Sequence, residues 1–266
     1  MIRQSAFAGS WYPDDPVILR RLIERSKETK KVPPARFALL PHAGLSYSAM
    51  GIAPFFGDFD QSVTRLLIVG PSHYAHVPVD RIITVPFASY ETPLGSLEGF
   101  ALHGAKAAHA PTLQREHSIE MILPFIAELK SPPKVSTALI NHFSSLKTLD
   151  EASDSLIGQD EGLSIIASSD FTHYGPRFGF SALSEKEVKE RDVRVAHLLA
   201  DGKIEEAFSF FTGNHHTICG WASALLVANI AKRKGMNGEV VSYYTSNDVA
   251  GRDGGDFVAY ATVLWR

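Results

Sequence analysis

The chain has little cysteine and no long apolar run. Its 266 residues include one cysteine, Cys219, which excludes an internal disulfide and predicts a reducing, cytoplasmic setting. No apolar run reaches the roughly 20 residues that a membrane-spanning helix needs. The segment from Met1 to Trp11 lacks the apolar centre of a signal peptide. The sequence therefore predicts a protein that is neither exported nor inserted into a membrane.

A strong excess of either charge is also absent. The 26 basic and 29 acidic residues leave a formal net charge of -3, and no dense cluster of lysine and arginine interrupts this balance. Neither a nucleic acid nor a membrane surface is therefore expected as a partner. The sequence also lacks a GxxxxGK[ST] phosphate loop, a GxGxxG turn and a GxSxG nucleophile elbow. These absences disfavour nucleotide-driven chemistry and serine-based acyl transfer.

Apolar patterning indicates an α/β fold. Short apolar runs bounded by proline, glycine, serine or histidine are typical of buried strands, and they lie at 36–40, 65–69, 135–140 and 163–167. Apolar residues at helical spacing predict helices at 97–109, 118–130, 146–157, 184–200 and 220–234. This alternation predicts one domain over residues 1–266, with a central, mainly parallel sheet flanked by helices on both faces.

The C-terminal region shows a different pattern. Residues 239–245 and 257–265 are predicted to be strands, and the glycine-rich segment 250–255 lies between them. A turn in that segment would join the two strands as an antiparallel pair.

Histidines follow three of the predicted strands. His42 follows the first strand, His73 the second, and His173 the strand at 163–167, where Asp170 adds a carboxylate. Because strand ends in an open α/β sheet form ligand sites, these side chains are expected to converge in one cleft. Imidazole is a metal ligand, and a nearby carboxylate can fix the tautomer of a histidine, bind metal or act as an acid or base. The pattern predicts a metal or acid-base site.

Each candidate also has a structural interpretation. A single histidine at a strand end is more often a hydrogen-bonded structural residue, and Asp170 is also suited to capping a turn. His117 precedes a predicted helix, where it is either a general acid or base or a polar residue of the first turn. Cys219 is either a metal ligand or a small buried apolar residue. Two further histidine-bearing segments are alternative candidates: Asn141-His142 and His215-His216.

Six segments, in this order, resemble the signature of the Memo family: Ala8-Gly9-Ser10-Trp11-Tyr12, Pro41-His42-Ala43-Gly44, Gly70-Pro71-Ser72-His73, Glu116-His117-Ser118-Ile119-Glu120, Ser168-Ser169-Asp170-Phe171-Thr172-His173 and Thr217-Ile218-Cys219-Gly220. The resemblance covers nearly the whole chain. Members of that family are similar in fold to class III extradiol dioxygenases, which are non-haem iron(II) enzymes that open catechol rings. The resemblance implies a metal site of His42, His73 and Cys219, with Asp170 and His173 nearby and His117 lining the pocket.

The resemblance also implies a departure from those dioxygenases. They hold iron with two histidines and a carboxylate, whereas the third position here is Cys219, whose softer thiolate suits copper(I) or zinc as well as iron. The family is described as a metal-dependent redox protein and, in animals, as a signalling adaptor that binds phosphorylated peptides. In prokaryotes its genes are often found with those of a radical S-adenosylmethionine protein and a further partner, in the AmmeMemoRadiSam system.

Three hypotheses follow for the function. The first is redox or oxygen chemistry on an unknown small molecule or protein at a single transition-metal ion, iron or copper with zinc as an alternative. In it His117, His173 and Asp170 are the catalytic residues. The second is a non-catalytic adaptor that holds a peptide in the same cleft, beside Trp11 and Tyr12. The third is a hydrolase in which the metal lowers the pKa of bound water.

Overall fold

The computed structural model describes residues 1–27, 31–158 and 162–266, apart from the side chain of Ala110. In chain order the strands are β1 (Ile2–Arg3), β2 (Phe37–Leu40), β3 (Arg65–Gly70), β4 (Ile83–Thr84), β5 (Ser89–Thr92), β6 (Gly95–Glu98), β7 (Lys106–Ala107), β8 (Lys134–Leu139), β9 (Leu163–Ser168), β10 (His173–Tyr174), β11 (Gly238–Thr245) and β12 (Phe257–Trp265). The α-helices are α1 (Pro16–Lys27), α2 (Leu45–Gly57), α3 (Ala110–Gln114), α4 (His117–Glu120), α5 (Leu123–Ala127), α6 (Leu146–Ile157), α7 (Glu185–Ala200), α8 (Ile204–Gly213), α9 (Trp221–Arg233) and α10 (Ser246–Ala250).

Four strands form the parallel centre of the main sheet, in the order β2, β9, β3 and β8. All their residues are buried except the first residues of β3 and β8, as expected of strands covered on both faces. The chain places β9 between β2 and β3, although β9 comes much later in the sequence. The carboxyl ends of these strands share one edge, where open α/β sheets bind ligands.

Antiparallel pairs extend this centre on both sides. β12 pairs with β2, with β11 and, through His173↔Val258 and Tyr174↔Phe257, with β10. On the other side β4 pairs antiparallel with β8 and parallel with β7. The predicted C-terminal antiparallel pair is therefore present, but α10 occupies part of its connection. The sheet as a whole is mixed.

Alternate residues of the central strands face two different cores. One core includes Phe37 and Leu39 of β2 and side chains of α6, α7, α8 and α9. The other includes Ala38 and Leu40 and side chains of α1, α2 and α5. Helices therefore cover both faces of the sheet, and the predicted α/β architecture is confirmed. In the part of the chain that the structure describes, no helix combines the length and apolar character needed to cross a membrane.

The prediction of a helix at 97–109 was wrong. This region contains the end of β6, an irregular segment and β7. Leu97 pairs with Tyr90 of β5, and a Cβ on Gly99 would lie 1.9 Å from the carbonyl oxygen of Phe87. The apolar spacing is locally compatible with a helix, but tertiary pairing with a neighbouring strand overrides that weak preference.

The predicted helix at 118–130 is divided into α4 and α5. Pro124 lies in the first turn of α5. Proline has no N–H to continue a helix ladder, and its ring clashes with the preceding turn. Helices α6, α7 and α9 agree with their predictions within one residue at each end. Helices α1, α2 and α8 were not predicted.

Candidate metal centre

The strand ends bring most of the predicted site residues to one cavity. The cavity has a volume of about 680 Å³, and its lining includes His42, His73, His117, Asp170 and His173. His42 lies two residues after β2, His73 three after β3 and Asp170 two after β9. Because these three strands are parallel neighbours, their carboxyl ends place the side chains together.

His42, His73 and His117 form a donor cluster. One ligand atom of each residue lies within 4.8 Å of those of the other two. The ring centroids are 5.3 Å apart for His42 and His73, 5.4 Å for His42 and His117, and 4.0 Å for His73 and His117. Three imidazoles are the protein ligands of some catalytic zinc sites, and imidazole also suits copper and iron. The sequence interpretation made His117 an acid or base, whereas the geometry also makes it a possible ligand.

The tautomer of His42 follows from its hydrogen bonds. Its Nδ1 lies 2.8 Å from Ser168 Oγ, and the Ser168 hydroxyl donates to the carbonyl oxygen of Ser118. Because the only hydroxyl hydrogen of Ser168 is used there, Ser168 Oγ accepts a hydrogen bond from His42 Nδ1. Burial and the neighbouring His117 and His73 hold the pKa of His42 well below its usual value. The ring is therefore neutral, and Nε2 carries a lone pair that can bind metal.

Glu116 fixes His73 in the same way. The buried carboxylate accepts hydrogen bonds from the backbone N–H of His73, at 2.8 Å, and from its Nδ1, at 2.8 Å. It also accepts from the backbone N–H of Ser118 at 3.1 Å. Burial raises the pKa of Glu116, but these hydrogen bonds outweigh that effect and bring the pKa below its usual value. An ionised carboxylate only accepts hydrogen bonds, so Nδ1 of His73 carries the hydrogen and Nε2 is free.

His117 lies between acidic and aromatic neighbours. Its Nδ1 is 3.0 Å from Tyr74 Oη and 3.6 Å from Glu116 Oε1. The negative carboxylate favours a hydrogen on Nδ1, which again leaves Nε2 free. Burial and the nearby His73 lower the pKa of His117 to about 3. The ring of Trp11 packs against it, with centroids 4.4 Å apart.

Glu120 binds the N-terminal segment through an ion pair and several hydrogen bonds. Its carboxylate is buried and forms an ion pair with the fully buried Arg3, at 2.8 Å. It also accepts hydrogen bonds from the backbone N–H groups of Ala6 and Phe7, at 2.9 and 2.8 Å, and from the hydroxyl of Tyr12, at 2.8 Å. Trp11 thus lines the cavity, whereas Tyr12 is buried beneath it.

Asp170 and Cys219 lie on the other side of His42. Asp170 Oδ1 accepts hydrogen bonds from the backbone N–H groups of His42, at 2.7 Å, and Ala43, at 3.2 Å. Burial raises the pKa of Asp170, and burial followed by the charge of Asp170 raises the pKa of the Cys219 thiol. The close approach of the Cys219 loop to β9 requires Gly220, where a Cβ would lie 2.4 Å from the carbonyl oxygen of Ser168.

Cys219 Sγ is 3.3 Å from His42 Nε2. A nitrogen and a sulfur bound to one tetrahedral ion, at about 2.0 and 2.3 Å, are roughly 3.5 Å apart. The contact therefore suits two ligands of one ion. The mutually close set of donors, however, consists of the three histidines, and the assignment of His42, His73 and Cys219 as the ligands stays a prediction.

His173 presents one free nitrogen. Its backbone N–H donates to Thr217 Oγ1 at 2.9 Å, and its Nδ1 lies 3.0 Å from the carbonyl oxygen of Thr217. Because a carbonyl oxygen only accepts hydrogen bonds, Nδ1 carries the hydrogen and Nε2 can take up a proton. His173 is thus equipped to act as a base in the cavity.

The alternative histidine segments have structural contacts elsewhere. Asn141 binds the loop before His73, accepting from the backbone N–H of Ser72 at 2.7 Å and donating to its carbonyl oxygen at 3.2 Å. The other three rings have aromatic contacts: His142 with Trp221, His215 with Phe180, and His216 with Phe210, Phe211 and Trp221.

Sequence reasoning missed the partners that orient the donor cluster. Glu116 and Glu120 look like polar residues of a first helical turn, and Ser168 looks like part of a strand end. Their roles depend on burial against distant segments, which no local pattern records. The only local signal was the pair of glutamates flanking His117 within five residues.

Comparison with known proteins supports the resemblance. A family model described as Memo-like protein matches residues 3–264. The chain is 30% identical to a MEMO1 family protein of Thermococcus onnurineus, with 100% of both chains covered. It is also 30% identical to Protein MEMO1 of Mus musculus and 29% identical to Protein MEMO1 of Homo sapiens. Both mammalian alignments cover 91% of this chain and 88% of the relative.

Proposed function

This chain belongs to the Memo-like protein family, and on that premise we propose that it binds one transition-metal ion and performs redox or oxygen chemistry in the cavity. The donor cluster carries this proposal. All three imidazoles have Nδ1 next to a fixed polar group, which orients them and leaves Nε2 available. Such partners are typical of histidines that ligate metal.

His42, His73 and His117 would hold the ion, and Cys219 would supply a thiolate beside His42. The donor set suits iron, copper and zinc, and the thiolate favours copper(I) and zinc among them. A bound ion would lower the pKa of the thiol, which burial otherwise raises. When bound, a redox-active ion supplies electron transfer or oxygen activation.

The chain's own groups would handle the proton and the substrate. His173 would accept a proton at Nε2, because its Nδ1 is already hydrogen-bonded to Thr217. Asp170 would keep the backbone of His42 and Ala43 in place. The cavity, at about 680 Å³, has the size of a small-molecule site, and it would admit a small molecule or a side chain of a peptide.

We also propose a compartment and a partner protein. The lone Cys219 supports the cytoplasm as the compartment. The family resemblance supports a radical S-adenosylmethionine protein as a partner.

A metal-dependent hydrolase is the second candidate. Three histidines and an open position are the arrangement of some zinc enzymes that activate water, and the donor cluster has three histidines. A peptide-binding adaptor would use the same cavity without turnover.

Anaerobic purification, elemental analysis and reconstitution with iron, copper or zinc test these candidates. We expect one metal per chain, bound far more weakly by His73→Ala, and oxygen consumption by the iron or copper form that His173→Gln reduces. Oxygen-independent hydrolysis by the zinc form would select the hydrolase. Metal binding with no turnover in any form would select the adaptor. Failure of any metal to bind would overturn the proposal.

A further inference from the structure

The outer part of the cavity is built from two loops that leave the same β-ladder. His173↔Val258 and Tyr174↔Phe257 pair β10 with β12. Arg177 follows β10 by three residues, and Arg252 precedes β12 by five. Both arginines line the cavity that holds the donor cluster. The ladder therefore places both arginines in the lining of one cavity.

Backbone contacts hold both loops in shape. Gly175 has φ +114°, and a Cβ there would lie 1.9 Å from Asp256 Oδ1, so the loops touch where only glycine fits. The N–H of Gly175 donates to the carbonyl oxygen of Phe180 at 2.8 Å. The N–H of Arg252 donates to the carbonyl oxygen of Asn247 at 3.0 Å. The arginine side chains thus extend from fixed backbones.

These arginines differ from the paired arginines of the chain. Arg3, Arg20, Arg36, Arg233 and Arg266 all form ion pairs. Arg177 and Arg252 are exposed, and neither pairs with an acidic residue in the ranges that the structure describes. Two guanidinium groups at a cavity mouth without a protein counter-ion attract an anion.

The local charge indicates which anion. Besides the buried Asp170, the acidic residue in the cavity lining is Asp256. Two guanidinium groups and one exposed carboxylate leave one net positive charge, which a monoanion balances. The ring of Phe178 contacts both Arg177, whose guanidinium carbon lies 5.8 Å from its centroid, and His173, whose ring centroid is 5.3 Å away. An apolar or aromatic body would fit beside it.

We infer that Arg177 and Arg252 form a subsite for the carboxylate of a small monoanionic substrate, whose apolar body extends past Phe178 toward His173. The direction of the substrate rests on the proposed function, because it assumes chemistry at the donor cluster. The carboxylate subsite itself needs no metal. Guanidinium groups bind carboxylates through two parallel hydrogen bonds, which gives the site orientation as well as charge.

The test uses the full chain freed of metal with a chelator, titrated with benzoate, benzamide and phenyl phosphate while NMR follows the arginine Nε–H signals. A charged hydrogen bond contributes about 1.5–3 kcal/mol, so benzoate should bind roughly 10- to 100-fold more tightly than benzamide at low salt. In Arg177→Gln/Arg252→Gln the two affinities should become equal, with benzamide unchanged. Arg194→Gln, a change of an exposed arginine on α7, is the matched control and should keep the preference.

Equal binding of benzoate and benzamide by the unmodified protein would overturn the subsite, as would a preference that survives in the double variant. Tighter binding of phenyl phosphate than of benzoate would overturn the assignment to a monoanion. Because the titration is metal-free, its result is independent of metal uptake. A carboxylate preference without metal binding would leave the subsite and overturn only the proposed function.

Discussion

Two pairs of buried carboxylates, Glu116 with Glu120 and Asp170 with Asp192, differ in the groups that donate hydrogen bonds to them. Glu116 and Glu120, near the N-terminal segment, receive hydrogen bonds from an imidazole and a guanidinium. Among the residues that the structure describes, the side chains of Asp170 and Asp192 receive hydrogen bonds from backbone N–H and hydroxyl groups only. All four are at most 4% exposed, yet the pKa of Glu116 is lowered whereas those of Asp170 and Asp192 are raised.

Burial raises the pKa of Glu116, Asp170 and Asp192, and among these three it is at Glu116 that the hydrogen bonds and the neighbouring His73 outweigh it. An ionisable donor compensates a buried carboxylate more strongly than neutral donors do. The Glu116 carboxylate is therefore stabilised by groups of the chain itself. A cation held by His42 would lower the pKa of Asp170 and so favour its ionised form.

The largest effect on stability is expected from removing the cation that pairs with the buried Glu120. Arg3→Met leaves Glu120 buried without its cation, which should lower the free energy of unfolding by about 3–5 kcal/mol. Urea denaturation measures this loss. Arg20→Met is the control, because Arg20 is 46% exposed in its pair with Glu128 and should cost at most about 1 kcal/mol. Equal losses in the two variants would mean that the Arg3 pair has no special role.

The next effect is a pH dependence of the free energy of unfolding that Asp192 causes. Burial raises the pKa of Asp192 from 3.8 to about 6. Between these values the native protein binds a proton that the unfolded chain has lost, so this group lowers stability as pH rises. Asp192→Asn removes that dependence. Relative to the unmodified protein, it should gain roughly 2–3 kcal/mol between pH 3.5 and 7.

Urea denaturation across this pH range, with Asp58→Asn at an exposed site as the control, tests the prediction. A constant difference between Asp192→Asn and the unmodified protein would show that the pKa of Asp192 is the same in the native and unfolded states. Asp192 would then no longer provide a raised pKa to contrast with the lowered pKa of Glu116.

A smaller effect is expected from Glu116→Gln. The amide keeps the size of the side chain but loses the charge that holds a hydrogen on Nδ1 of His73. Loss of such a partner typically weakens metal binding roughly 10- to 100-fold. Competition with a chelator measures the affinity, and the absorption spectrum of bound cobalt(II) reports the ligand geometry. Glu98→Gln, at an exposed ion pair, is the control. Unchanged affinity and spectrum would remove Glu116 from the site.

The smallest effect is expected from Tyr74→Phe. This change removes the hydroxyl 3.0 Å from His117 Nδ1, whereas Glu116 still lies 3.6 Å from the same atom. One neutral hydrogen bond contributes about 0.5–1.5 kcal/mol, so metal binding should weaken roughly 2- to 10-fold. A loss as large as that of Glu116→Gln, in the same chelator assay, would show that the hydroxyl and not the carboxylate orients His117.

The sequence located the histidines better than their partners. His42, His73 and His173 follow apolar strands, and both the strand and its end are local signals. The burial of Arg3 and Glu120 has no local signal, because a charged residue is ordinarily exposed. The two residues are 117 positions apart in the sequence, so their pairing depends on the tertiary fold.

The predicted helices show the same limit. The segment at 146–157 has a serine cap and one apolar face, and it forms α6 with the predicted bounds. The segment at 97–109 has suitable apolar spacing, but Leu97 pairs across to Tyr90 instead. Tertiary pairing decides such short segments, and periodicity alone does not reveal it.

The three donor histidines, His42, His73 and His117, come from separate connections of the chain, and only the native sheet brings them together. An unfolded chain holds no comparable set, so a metal ion held by these histidines would bind the native state selectively. By mass action, free metal at 100 times its dissociation constant would add about 2.7 kcal/mol to the free energy of unfolding. The melting temperature, and with it the lifetime of the protein against proteolysis, would therefore rise and fall with the supply of metal.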